Sequence, residues 1–248
     1  MDGGAPACGT VGQADLVFLV DESWGVGQSG FSSVQAFIAS VLASFRDSPV
    51  GPDGVRFGVT IYGDVARMPI ALTDHGSLDE VLRALRDLRY KGGASRTGDA
   101  LNFLVNYVFS PEIVRDNTPR IAVLITNDRS DDPVEDAARA VSDHGISLYA
   151  LGVRAADQSQ LRRMVTEPWE EHLLMAADFS SLEALLPKLS RRLCVTASEP
   201  PRPLRSAPAG CHRSDAHGSL DGCWEPSGTS ARRAEPAETG DALNFLVN

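Results

Sequence analysis

Oxygen-bearing side chains are concentrated in three short segments of the chain, and their types suit the binding of a hard metal ion. The first segment, residues 21–25, begins with Asp21 and continues with a second carboxylate and a hydroxyl. The second, 92–98, carries hydroxyls between glycines, and the third, 126–130, offers hydroxyl, amide and carboxylate oxygens. Oxygen ligands of these kinds suit Mg²⁺ or Mn²⁺. The segments therefore predict a metal-binding site, provided that the fold brings them together.

The elements around these segments predict a sheet that would do so. Apolar runs at 15–21 and 119–126 are typical of strands buried on both faces, as in parallel sheets. Further strands are predicted at 55–62, 66–72, 146–152 and 171–175, and helices at 31–45, 78–88, 98–109, 133–144, 157–165 and 180–193. This alternation predicts an α/β, doubly wound fold with a mostly parallel sheet, one short antiparallel edge strand and helices on both faces. Ligands of such sheets bind beyond the carboxyl ends of the strands.

Together, the three segments resemble the metal-ion-dependent adhesion site of the von Willebrand factor type A domain, and the resemblance covers residues 14–195. The family's site is written D-x-S-x-S, then a Thr in a G-G-x-T-x-T-G loop, then an Asp in an I-T-D-G turn. The corresponding stretches here are Asp21-Glu22-Ser23-Trp24-Gly25, Gly92-Gly93-Ala94-Ser95-Arg96-Thr97-Gly98 and Ile125-Thr126-Asn127-Asp128. Residues 90–93, 178–180 and 185–194 are similar to type A modules of matrix collagens, with collagen VII and the fibril-associated collagens as the nearest suggestions.

The sequence departs from the family motif at three ligand positions. Gly25 replaces the second serine, Ser95 replaces the threonine, and Asn127 replaces the aspartate. The resemblance thus implies a metal-ligand set of Asp21, Ser23, Ser95 and Asn127, with a single carboxylate among them. Because Mg²⁺ gives up its water reluctantly, we expect a degenerate site that binds Mg²⁺ or Mn²⁺ weakly.

The resemblance also implies a protein-binding module and not an enzyme. In the family, a carboxylate of the partner completes the coordination of the metal. An exposed aromatic side chain beside such a site is suited to anchoring a partner. We therefore predict a binding surface at Glu22, Trp24 and Asp128, and an extracellular matrix or cell-surface protein as the partner.

Two other interpretations stay open. The first is a structural spacer whose adhesion site has decayed. The second is a nucleotide-binding enzyme, because Gly25-Val26-Gly27-Gln28-Ser29-Gly30 fits G-x-G-x-x-G between a strand and a helix. The second is disfavoured, since residues 21–24 lengthen the turn before the glycines and no acidic residue follows at the expected offset.

Four cysteines bear on the compartment. Cys8 precedes the first predicted strand and Cys194 follows the last predicted helix, and such positions are often close in a compact α/β domain. A disulfide between them would favour an oxidising compartment, whereas the alternative is two unrelated free thiols. The lead at residues 1–13 does not read as a signal peptide. We therefore expect an extracellular module that is part of a larger secreted protein.

The last part of the chain differs in composition from the rest. Residues 196–248 are rich in Pro, Ser and Gly, and they cannot bury enough apolar surface to order themselves. Residues 239–248 repeat residues 97–106 without a change. Ten residues are too few for a second structural unit, so we interpret this tail as disordered and its copied segment as a splice or gene-model product.

Charge and hydropathy exclude two classes of partner. The formal net charge is -10, whereas nucleic-acid binding needs concentrated Lys and Arg. No apolar run reaches the roughly 18 residues that a membrane span needs. We therefore expect neither nucleic-acid binding nor membrane insertion.

Overall fold

The computed structural model describes residues 7–205. Six strands form one sheet in the order β3-β2-β1-β4-β5-β6. Their bounds are β1 Ala14–Asp21, β2 Val55–Tyr62, β3 Ala66–Ile70, β4 Arg120–Thr126, β5 Ile146–Val153 and β6 Leu173–Ala176. Every pairing is parallel except that of β2 with β3, which is antiparallel. The predicted α/β fold with one short antiparallel edge strand is confirmed.

The apolar strands are buried because both faces of the sheet are covered. All eight residues of β1 are buried, and successive side chains of a strand point to opposite faces. Leu16 and Phe18 accordingly join one core cluster, while Val17 and Leu19 join a second one across the sheet. The continuous apolar pattern of β1 therefore reflects a strand enclosed between two layers of helices.

Among the described residues, six helices occur where periodicity predicts them, with shifts at their ends. A short helix, Trp169–His172, was not predicted and takes up the first residues of the predicted strand 171–175. Their bounds are α1 Gly27–Ala43, α2 Leu78–Asp87, α3 Thr97–Phe103, α4 Glu135–Asp143, α5 Gln158–Met164, α6 Trp169–His172 and α7 Leu186–Ser198. A π-helical turn, Leu104–Val108, continues α3, and a 3₁₀ segment, Phe179–Leu185, precedes α7. The first helix starts four residues before the predicted Phe31, at Gly27, whose φ of 66° is one that glycine adopts readily.

The two ends of the described domain are joined covalently. A disulfide links Cys8 to Cys194 on α7, 186 residues apart in sequence. The Cys8 amide also donates to the Ser44 carbonyl at 2.8 Å, and nearby Val11 is buried in the core. In the chain-entropy model a loop of this length stabilises the fold by about 5 kcal/mol. The lead before β1 is therefore held against the domain by a bond, a hydrogen bond and a buried side chain.

A buried ion-pair group holds the opposite end of β1. The carboxylate of Asp15 is fully buried and accepts from Arg56 at 2.6 and 2.7 Å and from Arg115 at 2.6 Å. The same Arg115 donates to the carbonyls of Pro52 and Gly54. The group thus joins β1, β2 and two loops at the edge of the sheet that faces away from the predicted site.

The predicted boundary between domain and tail, after residue 195, falls inside a helix. Helix α7 continues to Ser198, and residues 199–205 follow without regular secondary structure. The Arg205 amide donates to the Asp143 carbonyl at 2.9 Å. The predicted disorder of the rest of the tail and the copied segment 239–248 lie outside the described residues.

Within residues 7–205, no helix combines the length and the apolar character needed to cross a membrane.

Replacing both Cys8 and Cys194 with serine should lower the free energy of unfolding by about 2–5 kcal/mol. The reason is that the loop closed by the disulfide would be released in the unfolded chain. Urea denaturation without reductant measures the change. Adding a thiol reductant should lower the stability of the wild type and leave the double variant unchanged; equal stability of the two proteins without reductant would contradict the structural role of the disulfide.

Candidate functional site

Asp21 lies at the centre of the site. It is the last residue of β1, and its side chain is buried where β1 and β4 end side by side. One carboxylate oxygen accepts from the Ser23 amide at 2.7 Å. The other accepts from the hydroxyls of Ser95 at 2.9 Å and Thr126 at 2.6 Å. All three predicted segments therefore meet at this carboxylate, as expected at the switch point of an open α/β sheet.

Burial sets the electrostatics of this carboxylate. It raises the pKa of Asp21 above its ordinary value, while the hydrogen bonds from Thr126, Ser23 and Ser95 act in the opposite direction. Burial raises the pKa of the neighbouring Tyr62 as well, and the negative charge of Asp21 adds to that rise. A buried negative charge that accepts from neutral donors is in an environment that a bound cation would stabilise.

Two further oxygens of the site have no hydrogen-bond partner within the described part of the chain. They are the hydroxyl oxygen of Ser23 and the amide oxygen of Asn127, and both are buried. Buried polar atoms in proteins are normally satisfied, so an unpartnered pair beside a buried carboxylate is unusual. Both oxygens are of the type that hard divalent cations accept as ligands.

Asn127 lies against the first loop through a contact that only glycine allows without rearrangement. A β-carbon placed on Gly25 would lie 2.7 Å from the amide nitrogen of Asn127, a separation that real β-carbons do not show. A larger residue at position 25 would have to displace the Asn127 side chain. The residues at these two positions are therefore sterically matched.

Glu22 does not lie on the surface, which corrects its predicted place in the binding surface. Its side chain is 3% exposed and forms a bidentate ion pair with Arg67 of β3, in which the second contact measures 2.9 Å. The carboxylate also accepts from the Lys91 amide at 3.0 Å. Glu22 thus fastens the first loop to the edge strand and to the start of the second loop.

Trp24 and Asp128 are exposed beside the site, where the sequence places them. The side chain of Trp24 is 73% exposed, although its amide donates to the Gly93 carbonyl at 2.9 Å. One edge of its ring lies directly against Gly92, whose φ is 82°. The loop therefore contacts one edge of the six-membered ring of Trp24 and leaves most of the side chain open to solvent. Asp128 remains on the surface and accepts from the Arg129 amide at 2.8 Å.

A set of aspartates that sequence reasoning did not single out supports the second loop. Asp131 accepts from the Ser95 amide at 2.8 Å, and Asp64 accepts from the Ala94 amide at 2.9 Å. Asp132 accepts from two amides at the start of α3, at 2.9 and 2.7 Å. The sequence Asp131-Asp132-Pro133 lies just before the predicted helix 133–144 and would suggest that an aspartate caps that helix. It does not reveal that Asp132 caps α3 instead.

Comparison with known proteins identifies the family. The sequence profile of the von Willebrand factor type A domain matches residues 15–188. The chain belongs to this family. The predicted resemblance is thereby confirmed over nearly the whole of the region for which it was stated.

Curated type A relatives are proteins of the extracellular matrix. The collagen alpha-1(XX) chain of Homo sapiens is 39% identical over 182 residues, which are 73% of this chain and 14% of that protein. The collagen alpha-1(XII) chain of Notophthalmus viridescens is 34% identical and matches 78% of this chain and 21% of its own length. Matrilin-2 of Mus musculus is 32% identical, with coverages of 74% and 19%. This type A domain thus spans a small part of each relative's length, and its relatives indicate an extracellular location, as predicted.

A solved structure of another protein shows the same fold. It is that of proximal thread matrix protein 1 from the mussel byssus with a zinc-occupied MIDAS motif, and it superposes with a TM-score of 0.68 at 22% identity. The superposition covers 76% of this chain and 47% of that one. At this identity the likeness concerns the fold alone. The zinc in the mussel protein is a property of that protein, so the fit of a metal here depends on the residues of this chain.

The candidate ligands of this type A domain are of chemical types that bind divalent cations. Asp21 supplies a carboxylate, and the unpartnered oxygens of Ser23 and Asn127 supply neutral ligands. Asp21 is, however, the one formal charge in the predicted ligand set. Within residues 7–205, no three side chains of His, Cys, Asp or Glu are grouped so as to hold a metal ion. Apart from the Asp21 carboxylate, a cation here would therefore depend on hydroxyl and amide oxygens.

Replacing Glu22 with alanine should lower the free energy of unfolding by about 2–3 kcal/mol, because a buried charge pair loses one partner. Urea denaturation measures this change. Replacing the exposed Asp128 with alanine is the matched control, and it should change stability by no more than about 0.5 kcal/mol. Equal effects of the two substitutions would contradict the structural role assigned to Glu22.

Proposed function

We propose that this domain is a protein-binding module of the extracellular matrix, which attaches to its partner through the surface around the Asp21–Gly25 loop. The observation that carries this proposal is the exposed ring of Trp24. An aromatic side chain held along one edge of its ring and otherwise open to solvent resembles the anchors that dominate protein interfaces. The matrix relatives agree with a partner that is a matrix or cell-surface protein.

The metal contributes little to this attachment in our proposal. Asp21, Ser23, Ser95 and Asn127 would hold Mg²⁺ or Mn²⁺, directly or through water. A bound cation would supply an open coordination position for a carboxylate of the partner. Affinity for a divalent cation decreases as charged ligands are lost, and the neutral Asn127 leaves the cation with a single negative ligand. Weak, partial occupancy follows, and the surrounding surface supplies most of the binding energy.

Catalysis is not part of the proposal. Type A domains of matrix proteins are generally not enzymes. Two glycines of the G-x-G-x-x-G match have packing roles here, because Gly25 faces Asn127 and a β-carbon on Gly30 would lie 2.8 Å from the ring of Phe179. These contacts explain the glycines without a nucleotide. Stabilisation of the domain by NAD or ATP in a thermal-shift assay would overturn this part of the proposal.

Replacing Trp24 with alanine should weaken partner binding by about thirtyfold, since truncating an interface anchor costs about 2 kcal/mol or more. Binding of the full chain to immobilised fibrillar collagen, fibronectin and laminin measures the change, with Mg²⁺ and with EDTA. Replacing Tyr107, another exposed aromatic at 63%, with alanine is the matched control and should leave affinity unchanged.

The metal arms of this experiment separate the alternatives. Our proposal predicts that EDTA reduces binding only modestly. Loss of all binding in EDTA would show that the metal carries the interaction. Failure to bind any of the three proteins, with Mg²⁺, Mn²⁺ or EDTA, would contradict the proposal and favour a structural spacer.

A further inference from the structure

A second candidate surface lies at the opposite edge of the sheet from Asp21. It is a groove of about 450 Å³ between α4, the start of β5, the end of α5 and residues 199–205. We call it the arginine groove, because its charged lining consists of four arginines and two glutamates: Arg139, Arg163, Arg202, Arg205, Glu135 and Glu167. The groove therefore has an excess of two positive charges in a chain whose net charge is -10.

The segment after α7 brings two of these arginines to the groove. The amide of Arg205 donates to the Asp143 carbonyl at 2.9 Å. The carbonyl of Arg202 passes so close to Gly145 that a β-carbon there would lie 2.5 Å away, and Gly145 has a φ of 65°. Three prolines in residues 200–203 restrict the backbone of the segment. The two arginines are therefore placed on the domain by local contacts.

These two arginines have no carboxylate partner among residues 7–205. Within the described part of the chain, neither Arg202 nor Arg205 lies within ion-pair distance of a carboxylate. Burial lowers the pKa of Arg202 below its ordinary value, and the nearby charge of Arg205 lowers it further. A half-buried cation beside a second cation is unfavourable unless an anion lies between or near them.

The other two arginines of the groove are only weakly paired. Arg163 lies 4.0 Å from Glu135, and Arg139 lies 3.1 Å from Asp136, and all four side chains are more than half exposed. Exposed pairs of this kind contribute little to stability. Their guanidinium groups are therefore free to turn towards an anion in the groove at small cost.

Positive charge continues beyond the groove. A neighbouring cleft of about 670 Å³ is lined by Lys188, Arg191 and Arg192 of α7, together with Glu171 and Glu199. Arg192 donates to Glu171 at 2.9 Å, yet one of its guanidinium nitrogens is buried without a partner among residues 7–205. Glu199 opens the segment that carries Arg202 and Arg205. Residues 199–205 thus contribute to both cavities, and each cavity is lined by several cations.

We infer that the arginine groove and this neighbouring cleft bind a sulfated polysaccharide chain. The guanidinium group offers a planar fork of donors that fits oxyanions such as sulfate. A row of such groups suits a linear chain with repeated sulfates, and the extracellular location of the relatives favours a polysaccharide over a nucleic acid. The acidic charge of the rest of the molecule is screened beyond about 8 Å at physiological salt. Because this surface is opposite the Asp21 edge, it leaves that site free.

Biosensor binding of the full chain to immobilised heparin, at low and physiological salt, tests the inference. The wild type should bind and should weaken as salt increases. Replacing both Arg202 and Arg205 with serine should reduce affinity by at least about tenfold, because charge-assisted hydrogen bonds are lost. The matched control replaces Arg83 and Arg86, an arginine pair on α2, with serine and should keep the wild-type affinity.

Further arms identify the ligand and separate this surface from the first site. Desulfated heparin should not bind, and inorganic sulfate at equal sulfate concentration should compete poorly. Full competition by inorganic sulfate, or equal binding to duplex DNA, would overturn the polysaccharide assignment. Equal losses in the two arginine variants, or no binding by the wild type, would overturn the site itself. The Trp24→Ala variant should bind heparin normally, so failure of one proposal leaves the other standing; thermal melting of each variant confirms folding.

Discussion

The carboxylate of Asp21 is buried at the end of one of the two central strands, and the loops of the candidate site are arranged around it. Its two oxygens accept from an amide of its own loop, from Ser95 in the second loop and from Thr126 at the end of β4. These three donors are all neutral. Hydrogen bonds to one buried anion therefore hold the loops of the site in place. The unpartnered oxygens of Ser23 and Asn127 lie beside the same carboxylate. The pairing of Glu22 with Arg67 fixes the loop from its other side.

The departures from the family motif act together. The space that a second serine would occupy at position 25 is taken by the Asn127 amide, whose nitrogen lies against Gly25. One change removes a hydroxyl ligand and the other removes a negative charge, and the two residues pack against each other. In our proposal, the site therefore binds a cation weakly. Trp24 is a large aromatic side chain that is 73% exposed at that edge, which is why we assign the binding energy to the surface.

The fold could be predicted from the sequence because the patterns that indicate strands and helices are local. Buried parallel strands are continuous apolar runs, as in β1, and helix faces repeat along the chain. The site segments could be predicted because strand ends meet at one edge. The burial of Glu22 could not, since its partner Arg67 is 45 residues away on an edge strand and a loop carboxylate normally points to solvent. The support of the Ser95 loop by Asp131 and Asp64, and the packing of Gly25 on Asn127, likewise depend on distances between segments. The end of α7 could not be predicted either, because residues 194–198 carry no strong stop signal before Pro200.

The most direct test is isothermal titration of the wild type and of Asn127→Asp with Mg²⁺. We predict that the wild type binds Mg²⁺ with a dissociation constant that is roughly millimolar or weaker, because a single carboxylate faces the cation. The variant restores a second negative ligand and should bind at least about tenfold more tightly. Micromolar binding by the wild type, or no gain in the variant, would contradict the account of a site weakened by its missing charge.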